Sequence, residues 1–296
     1  MRAGKRAGFK NIVNHPTNIL PIHRRPFKVR FNLIENIGTL PKLDEWSVEI
    51  LMRPTLDDIL AVVQFWGGPE YEPRKYYIYK LLPNKRDVAW FHEFDGVANH
   101  ALLTNDEKNI VLVKQNEVIL FDTDEGKNIG SFKIDFDDKI EPDVPSIASL
   151  DKNDNLVIIA DRMIEEKNKK YLALYNLDGK ELWSFPMNDP RLDQPPVCDN
   201  DGRIYIIDGL RLICVKEGEI DWSAVLKPAE RNWITITADK HAVVINGNLL
   251  ALFDPKGEKL FERLITKTDD QFYAPPALDK EGHIFVAGQN GLYCFE

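Results

Sequence analysis

The segment YLALYNLDGKELWSF (171–185) is echoed by RLICVKEGEIDWSAV (211–225) and NLLALFDPKGEKLFERL (248–264). In each, a short apolar run leads into a glycine turn, and an aromatic residue stands four positions after the glycine. The pairs are Gly179 and Trp183, Gly218 and Trp222, and Gly257 and Phe261. Trp183 to Trp222 is 39 residues, and Trp222 to Phe261 is 39 again. A second signature precedes the turns: PPVCDNDGRIYII (195–207) and PPALDKEGHIFVA (275–287) are offset by 80, with a degenerate copy, PSIASLDKNDNLVIIA, at 145–160. Self-similarity at a fixed period is the mark of a repeat architecture and has to be read before any single element.

Working outward, the earlier copies are weaker but in phase. KNIVLVKQNEVILFDTDEGKNIGSF (108–132) has Gly126 in the turn and Phe132 near the aromatic slot. ILAVVQFWGGPEYEPRKYYIYKLLPNKRDVAWFHEF (59–94) carries Trp90 near its end. Each period of about 40 holds four short β-branched or aromatic runs, here called a, b, c and d, divided by the Asn, Asp and Gly residues of tight hairpins. A four-stranded sheet every 40 residues predicts an all-β protein, a β-propeller of four-stranded blades. PTLDDILAVVQFW (54–66) also fits a helix capped at Thr55, but the phase of the repeat assigns it to a strand.

The last repeat ends at NGLYCFE, on strand c. LPKLDEWSVEI (40–50) puts Trp46 in the aromatic slot, 44 residues before Trp90, so this N-terminal strand is expected to complete and close the final blade. Strands d at 46, 90, 130, 183, 222 and 261 then count six blades, or seven if PFKVRFNLI (26–34) belongs to another sheet. The expected organisation is a basic leader, 1–34, and a single propeller domain, 35–296.

Composition agrees with a globular chain: 44% of the 296 residues are hydrophobic and 29% charged. No run approaches the roughly 18 apolar residues of a membrane helix, so no span is expected. The start of the chain has no apolar core of a secretory signal; a cytoplasmic location is expected, or a periplasmic or secreted one if a leader was removed. Cys198, Cys214 and Cys294 are scattered and read as small apolar strand residues. The net charge of −9 divides unevenly. Residues 1–34 carry Arg2, Lys5, Arg6, Lys10, Arg24, Arg25, Lys28 and Arg30 and no acid, which leaves 30 basic and 47 acidic residues behind them, +8 in front and −17 after. That leader is a candidate arm for a partner, an intramolecular strap against the acidic body, or a passive tail. Nucleic acid is disfavoured as a partner because a body of −17 repels phosphates.

In a propeller the a–b and c–d turns lie on one face, and the b–c loops and d–a connectors on the other. Two insertions, 66–76 and 161–170, fall in b–c loops, so that second face is the expected binding face. Its connectors are acidic. Asp135, Asp137, Asp138, Glu141 and Asp143 fall within nine residues, joined by Glu93, Asp95, Asp189, Asp193, Asp269 and Asp270, with His92 and His100 flanking one connector. These carboxylates form either a ring able to take a cation or a basic partner, or solvated turn acids. Trp46, Trp90, Trp183, Trp222 and Phe261 are read as packing between blades. DNDG (199–202) reads as a turn rather than a calcium loop, because Val197 stands where the first ligand should be. No P-loop, nucleophile elbow, dinucleotide fingerprint or zinc pattern is present, so a catalytic site is not expected.

The pairing of PPVCDNDGRIY with ALYNLDGKELW resembles the PQQ-like repeat, shared by quinoprotein dehydrogenases and BamB-type scaffold proteins. The resemblance is strong over 140–296 and loose over 55–140. It implies a propeller. Quinone-binding enzymes of that family use adjacent cysteines, a tryptophan floor and calcium ligands, usually on eight blades. No two cysteines are adjacent in this chain. The resemblance therefore implies the scaffold branch, without a cofactor, binding a protein. The alternatives are an enzyme or cation binder with carboxylates at the channel mouth, and a subunit of a larger assembly that uses the leader.

Overall fold

The computed structural model describes residues 46–52, 59–65, 75–82, 87–95, 100–114, 117–134, 148–164, 167–190, 194–229, 231–266, 270–272 and 274–295. They fall into two compact units, 46–225 and 226–295. The described residues contain strands and turns and no helix.

The first unit has four sheets, each a meander of four consecutive antiparallel strands. The first is β1 (Trp46–Met52), β2 (Ile59–Phe65), β3 (Lys75–Leu82) and β4 (Asp87–Asp95). The second is β5 (His100–Leu103), β6 (Asn109–Lys114), β7 (Glu117–Asp122) and β8 (Asn128–Lys133). The third is β9 (Ala148–Leu150), β10 (Leu156–Ile164), β11 (Lys167–Tyr175) and β12 (Glu181–Pro186). The fourth is β13 (Val197–Cys198), β14 (Arg203–Asp208), β15 (Arg211–Lys216) and β16 (Glu219–Val225). The second unit contains a fifth sheet, β17 (Asn232–Ile236), β18 (Ala242–Asn246), β19 (Leu249–Phe253) and β20 (Lys259–Leu264). A sixth is formed by β21 (Ala277–Leu278), β22 (Ile284–Ala287) and β23 (Leu292–Phe295). These four-stranded meanders are the blades of a β-propeller, and the described residues form six sheets, the number the repeat predicts.

Strands b and c are apolar without alternation because both of their faces are covered. Ile110 and Leu112 pack with Ile78 and Phe121 between the first and second sheets, while Val111 and Val113 pack with Ile158 and Ala173 between the second and third. Ile110, Val111, Leu112 and Val113 are all 0% exposed. A further core of Val157, Leu172, Ile204 and Ile213 joins the third sheet to the fourth, and Val243, Leu250, Val286 and Tyr293 join the fifth to the sixth. Each such side chain contributes on the order of 1.5–3 kcal/mol by leaving water. In the first unit the first strands β1, β5, β9 and β13 of successive sheets neighbour one another in turn. A register shift recurs between strands c and d, at Lys80/Leu81, Leu120/Phe121, Leu174/Tyr175, Cys214/Val215 and Leu252/Phe253. Such bulges strengthen the twist that lets one sheet wrap on the next.

Two expectations are corrected. Trp46 does not belong to an outer strand of the last blade: β1 pairs with β2 from Trp46↔Phe65 to Met52↔Ile59, as the first strand of the first sheet. Only six residues separate the two strands, and pairing across so short a connection closes a small loop. The sixth sheet has three strands among the described residues, and PFKVRFNLI lies outside them. The second correction concerns 161–170, which is a continuation of strands rather than a loop. β10 and β11 stay in register from Leu156↔Tyr175 to Ile164↔Lys167. DRMIEEKNKK is mostly polar and shows no hydrophobic alternation, which is why the sequence reads as a loop there. The end of the other insertion is also strand, since Tyr76 pairs with Gln64, while 66–74 lie outside the described residues. The strand at Ile59–Phe65 agrees with the repeat phase over the helical alternative.

Candidate interaction face

Each sheet has two ends with different chemistry. At the a–b end, one side chain per repeat accepts the amides of the turn that follows it. Asp151 takes the N–H groups of Asn153 and Asn155 at 2.8 and 2.9 Å. Asp199 takes those of Asp201 and Arg203 at 2.8 and 2.9 Å, and its second oxygen receives the Tyr205 hydroxyl at 3.0 Å. DNDG is thus a turn held by its first carboxylate, which is committed to backbone donors. Thr104 and Thr237 do the same with one hydroxyl each, accepting from the amides of Asn109 and His241 at 3.0 and 2.9 Å.

The sixth sheet repeats the device. Asp279 accepts the amides of Glu281 and His283 at 3.0 and 2.9 Å and meets His283 Nδ1 at 2.6 Å. Burial opposes ionisation of Asp279, but the His283 hydrogen bond and the turn amides prevail and hold its pKa below the usual carboxylate value. Asp279, Glu281 and His283 bring their polar atoms within 4.8 Å of one another. Asn155 and Arg203 occupy the position of His283 in the other turns, so this grouping follows from the turn motif.

The c–d turns carry the glycines, and in the first unit each glycine lies against the aromatic residue of the preceding sheet. A Cβ on Gly126 would stand 2.6 Å from Trp90 Cγ, one on Gly179 2.6 Å from Phe132 Cβ, and one on Gly218 3.3 Å from Trp183 Cβ. Around Trp90 the contact is reinforced by its Nε1–H donating to Thr123 O at 3.3 Å and by Lys80 meeting Asp124 at 3.0 Å. His92 belongs to this junction: its Nε2 bonds Gly126 O, and its ring lies 5.0 Å from Phe121. Mid-strand and turned toward the second sheet, His92 does not line a connector.

The b–c and d–a end is built differently. Asp208, 5% exposed, closes β14 and accepts the amides of Asn188 and Asp189, with Asn188 Nδ2 at 3.3 Å. Gly209 N–H donates to Asp189 O at 2.7 Å, and Pro190 bridges Asp208. The connector is thereby tied down while the Asp189 side chain stays exposed. In the second unit Asp270, expected as a free acid, is buried and accepts Asn290 N–H at 3.1 Å and Tyr293 O–H at 2.7 Å. Asn246 Nδ2 donates to Lys227 O at 2.9 Å, and Asn248 exchanges bonds with Thr266 at 2.7 and 3.3 Å. Asp95 ends β4 opposite Lys75, and His100 opens β5 opposite Val113. Burial lowers the pKa of His100. Asp135, Asp137, Asp138, Glu141, Asp143, Asp193, Asp269 and the basic residues Arg2, Lys5, Arg6, Lys10, Arg24 and Arg25 lie outside the described residues.

Sequence reading missed Asp208 and the role of Asp270. The signal for the first is a polar residue ending an apolar b strand just before glycine, in IIDGL and VINGN. It marks a turn equally well, and only the fold brings a connector to it. Large exposed apolar residues stand at both ends: Ile129, Leu182, Ile220 and Leu260 open strands d beside the c–d turns, and three more lie at this end. Leu210 at the fourth sheet's hairpin tip is 45% exposed, and Val225 opposite Arg211 is 74% exposed. In the other unit Leu264 is 48% exposed.

No protein-family model matches the chain, and none of the curated proteins does. Among solved structures, Hsv2 from Kluyvelomyces marxianus is similar at a TM-score of 0.52 and 10% identity, over 82% of this chain and 69% of that one. A protein of unknown function from Bacteroides caccae aligns at 0.47 and 10%, over 76% and 81% of the two chains. BamB from Moraxella catarrhalis aligns at 0.44 and 9%, over 84% and 97%. At these identities the likeness concerns the fold alone. No helix among the described residues is long and apolar enough to cross a membrane.

Proposed function

We propose that this chain is a non-catalytic propeller of the PQQ-like scaffold type. It binds another macromolecule, a protein, through the end of its sheets that carries the b–c hairpins and d–a connectors. The observation that supports this reading is the asymmetry between the two ends. At the a–b and c–d end the side chains Asp151, Asp199, Asp254 and Asp279 are consumed by their own turns. At the other end the β10–β11 hairpin runs on in register beyond the pairing of β9 and β12, while the hairpins of the second, fourth and fifth sheets are short. Rigid sheets carrying one variable end are the usual way a repeat fold presents a binding surface.

Hydrogen exchange on the full chain with and without a partner captured from the native host tests this. Protection of 161–164, 167–170 and 208–211 is expected. Protection confined to 151–155, 199–203 and 279–283 would place binding at the opposite end and overturn the reading. So would a reproducible rise in melting temperature with a metal ion, quinone or sugar, since a ligand that binds only the folded state raises it.

A further inference from the structure

Asn-Gly occurs twice in the chain, at Asn246–Gly247 and Asn290–Gly291, and both pairs fall at b–c hairpins of the second unit. In this dipeptide the asparagine side chain is open to attack by the backbone nitrogen that follows it, because glycine has no Cβ to bar the approach. The two pairs have opposite surroundings. Asn246 is 5% exposed, its Nδ2 donates to Lys227 O at 2.9 Å, and Gly247 N–H donates to Arg231 O at 3.0 Å. The attacking nitrogen and the amide it would attack are each held by another group, so this pair is locked.

Asn290 and Gly291 are both exposed. Among the described residues neither the Asn290 side chain nor Gly291 N–H makes a hydrogen bond, and Gly291 is tied through its carbonyl, which accepts Gly288 N–H at 2.8 Å. The turn itself is clasped from beneath. Asp270 is 6% exposed, with Oδ1 accepting Asn290 N–H at 3.1 Å and Oδ2 accepting Tyr293 O–H at 2.7 Å. A Cβ on Gly288 would collide with that carboxylate. Phe272 bridges Gly288, and Gln289 N–H donates to Gln271 O at 3.0 Å. Residues 270–272 are therefore fastened to the hairpin that carries Asn290.

We propose that Asn290 is a site of spontaneous covalent modification, and that its conversion loosens the Asp270 clasp. Gly291 N attacks Asn290 Cγ: the N–Cγ bond forms, the Cγ–Nδ2 bond breaks, and the proton given up by Gly291 N–H leaves with the amide as ammonia. Water then opens the cyclic imide at either carbonyl. One opening leaves aspartate; the other leaves isoaspartate, with the main chain rerouted through the side-chain carbon. Both products put an ionised carboxylate on the residue whose amide Asp270 already accepts, and like charges brought together oppose each other. Isoaspartate also lengthens the main chain by one carbon between the ends of the Gly288–Gly291 bond. The reaction needs only water, so it stands apart from the scaffold reading, although the clasp lies at the end of the sheet to which binding is ascribed above.

The test holds the full chain at pH 8, folded and in guanidinium, and follows both asparagines by peptide mass spectrometry, with isoaspartate counted by an isoaspartyl methyltransferase. In the folded chain Asn290 is expected to convert several-fold faster than Asn246, and in guanidinium the two should react alike. An Asn290 that reacts no faster than Asn246 in the folded chain overturns the proposal. Gly291→Ala is the control that keeps the fold, since a Cβ there meets nothing within 4 Å and the φ of Gly291 lies outside the left-handed region. It is expected to suppress conversion at 290, and conversion as fast as in wild type overturns the attack by Gly291 N. Wild type aged to full conversion should melt about 2 °C or more below fresh protein, with Gly291→Ala unchanged over the same time. An unchanged melting temperature in converted wild type overturns the loosened clasp.

Discussion

Gly126 lies flat against the indole of Trp90, so close that a Cβ there would stand 2.6 Å from Trp90 Cγ. The two residues belong to neighbouring sheets, and the same closeness returns between Gly179 and Phe132. The turn glycine and the aromatic four residues beyond it, which mark each repeat, are thus not partners of each other. Trp90, Phe132 and Trp183 each serve the glycine of the following sheet.

Gly126 is held at a φ of 67°, and Gly202, in an a–b turn, at 79°. A Cβ on Gly202 would meet nothing within 4 Å. Gly202→Ala is therefore expected to cost about 1 kcal/mol, the conformational term alone. Gly126→Ala adds overpacking against Trp90, for roughly 2–4 kcal/mol in total. Urea unfolding of both variants checks this, and equal losses would show that the indole yields without cost.

Removing the Asp208 carboxylate strands the amides of Asn188 and Asp189. Asp208→Ala is expected to destabilise by about 1.5–3 kcal/mol, with faster hydrogen exchange at 188 and 189. Asp208→Asn keeps one acceptor oxygen and should fall between.

His100 supplies a pH dependence. Burial lowers its folded pKa below the ordinary 6.5, so the unfolded chain binds its proton more readily. Its contribution to stability is intact above 6.5 and is lost as pH falls from there through the folded value. His100→Phe should flatten the melting temperature across that window. A curve of unchanged slope would exclude His100 as the source.

Thiol chemistry separates the cysteines. Burial pushes the Cys198 and Cys214 thiols up to about 12, while Cys294 is exposed. At pH 8 a maleimide should label Cys294 first and reach the other two only in denaturant, since the thiolate is the reactive form. Mass spectrometry of partially labelled protein reads the order directly.

The repeat was legible because propeller blades are local: strands a to d are consecutive, and their turns need Asp, Asn and Gly at set places whatever surrounds them. The period of about 40, the consecutive strands within 108–132, 171–185, 211–225 and 248–264, and the turn nature of DNDG all follow from residues near one another in the chain. Three matters depended on contacts between distant residues, and only the tertiary structure decided them. Trp46 matched the aromatic slot by spacing, yet β1 pairs with β2, because a hydrophobic pattern specifies a strand without naming its neighbour. Asp270 looked like any turn acid until Asn290 and Tyr293 were brought to it, making it a buried acceptor. The 161–170 stretch shows no hydrophobic alternation, so its sequence carried no sign of the pairing, and its register became visible only when Arg162 was found opposite Lys169.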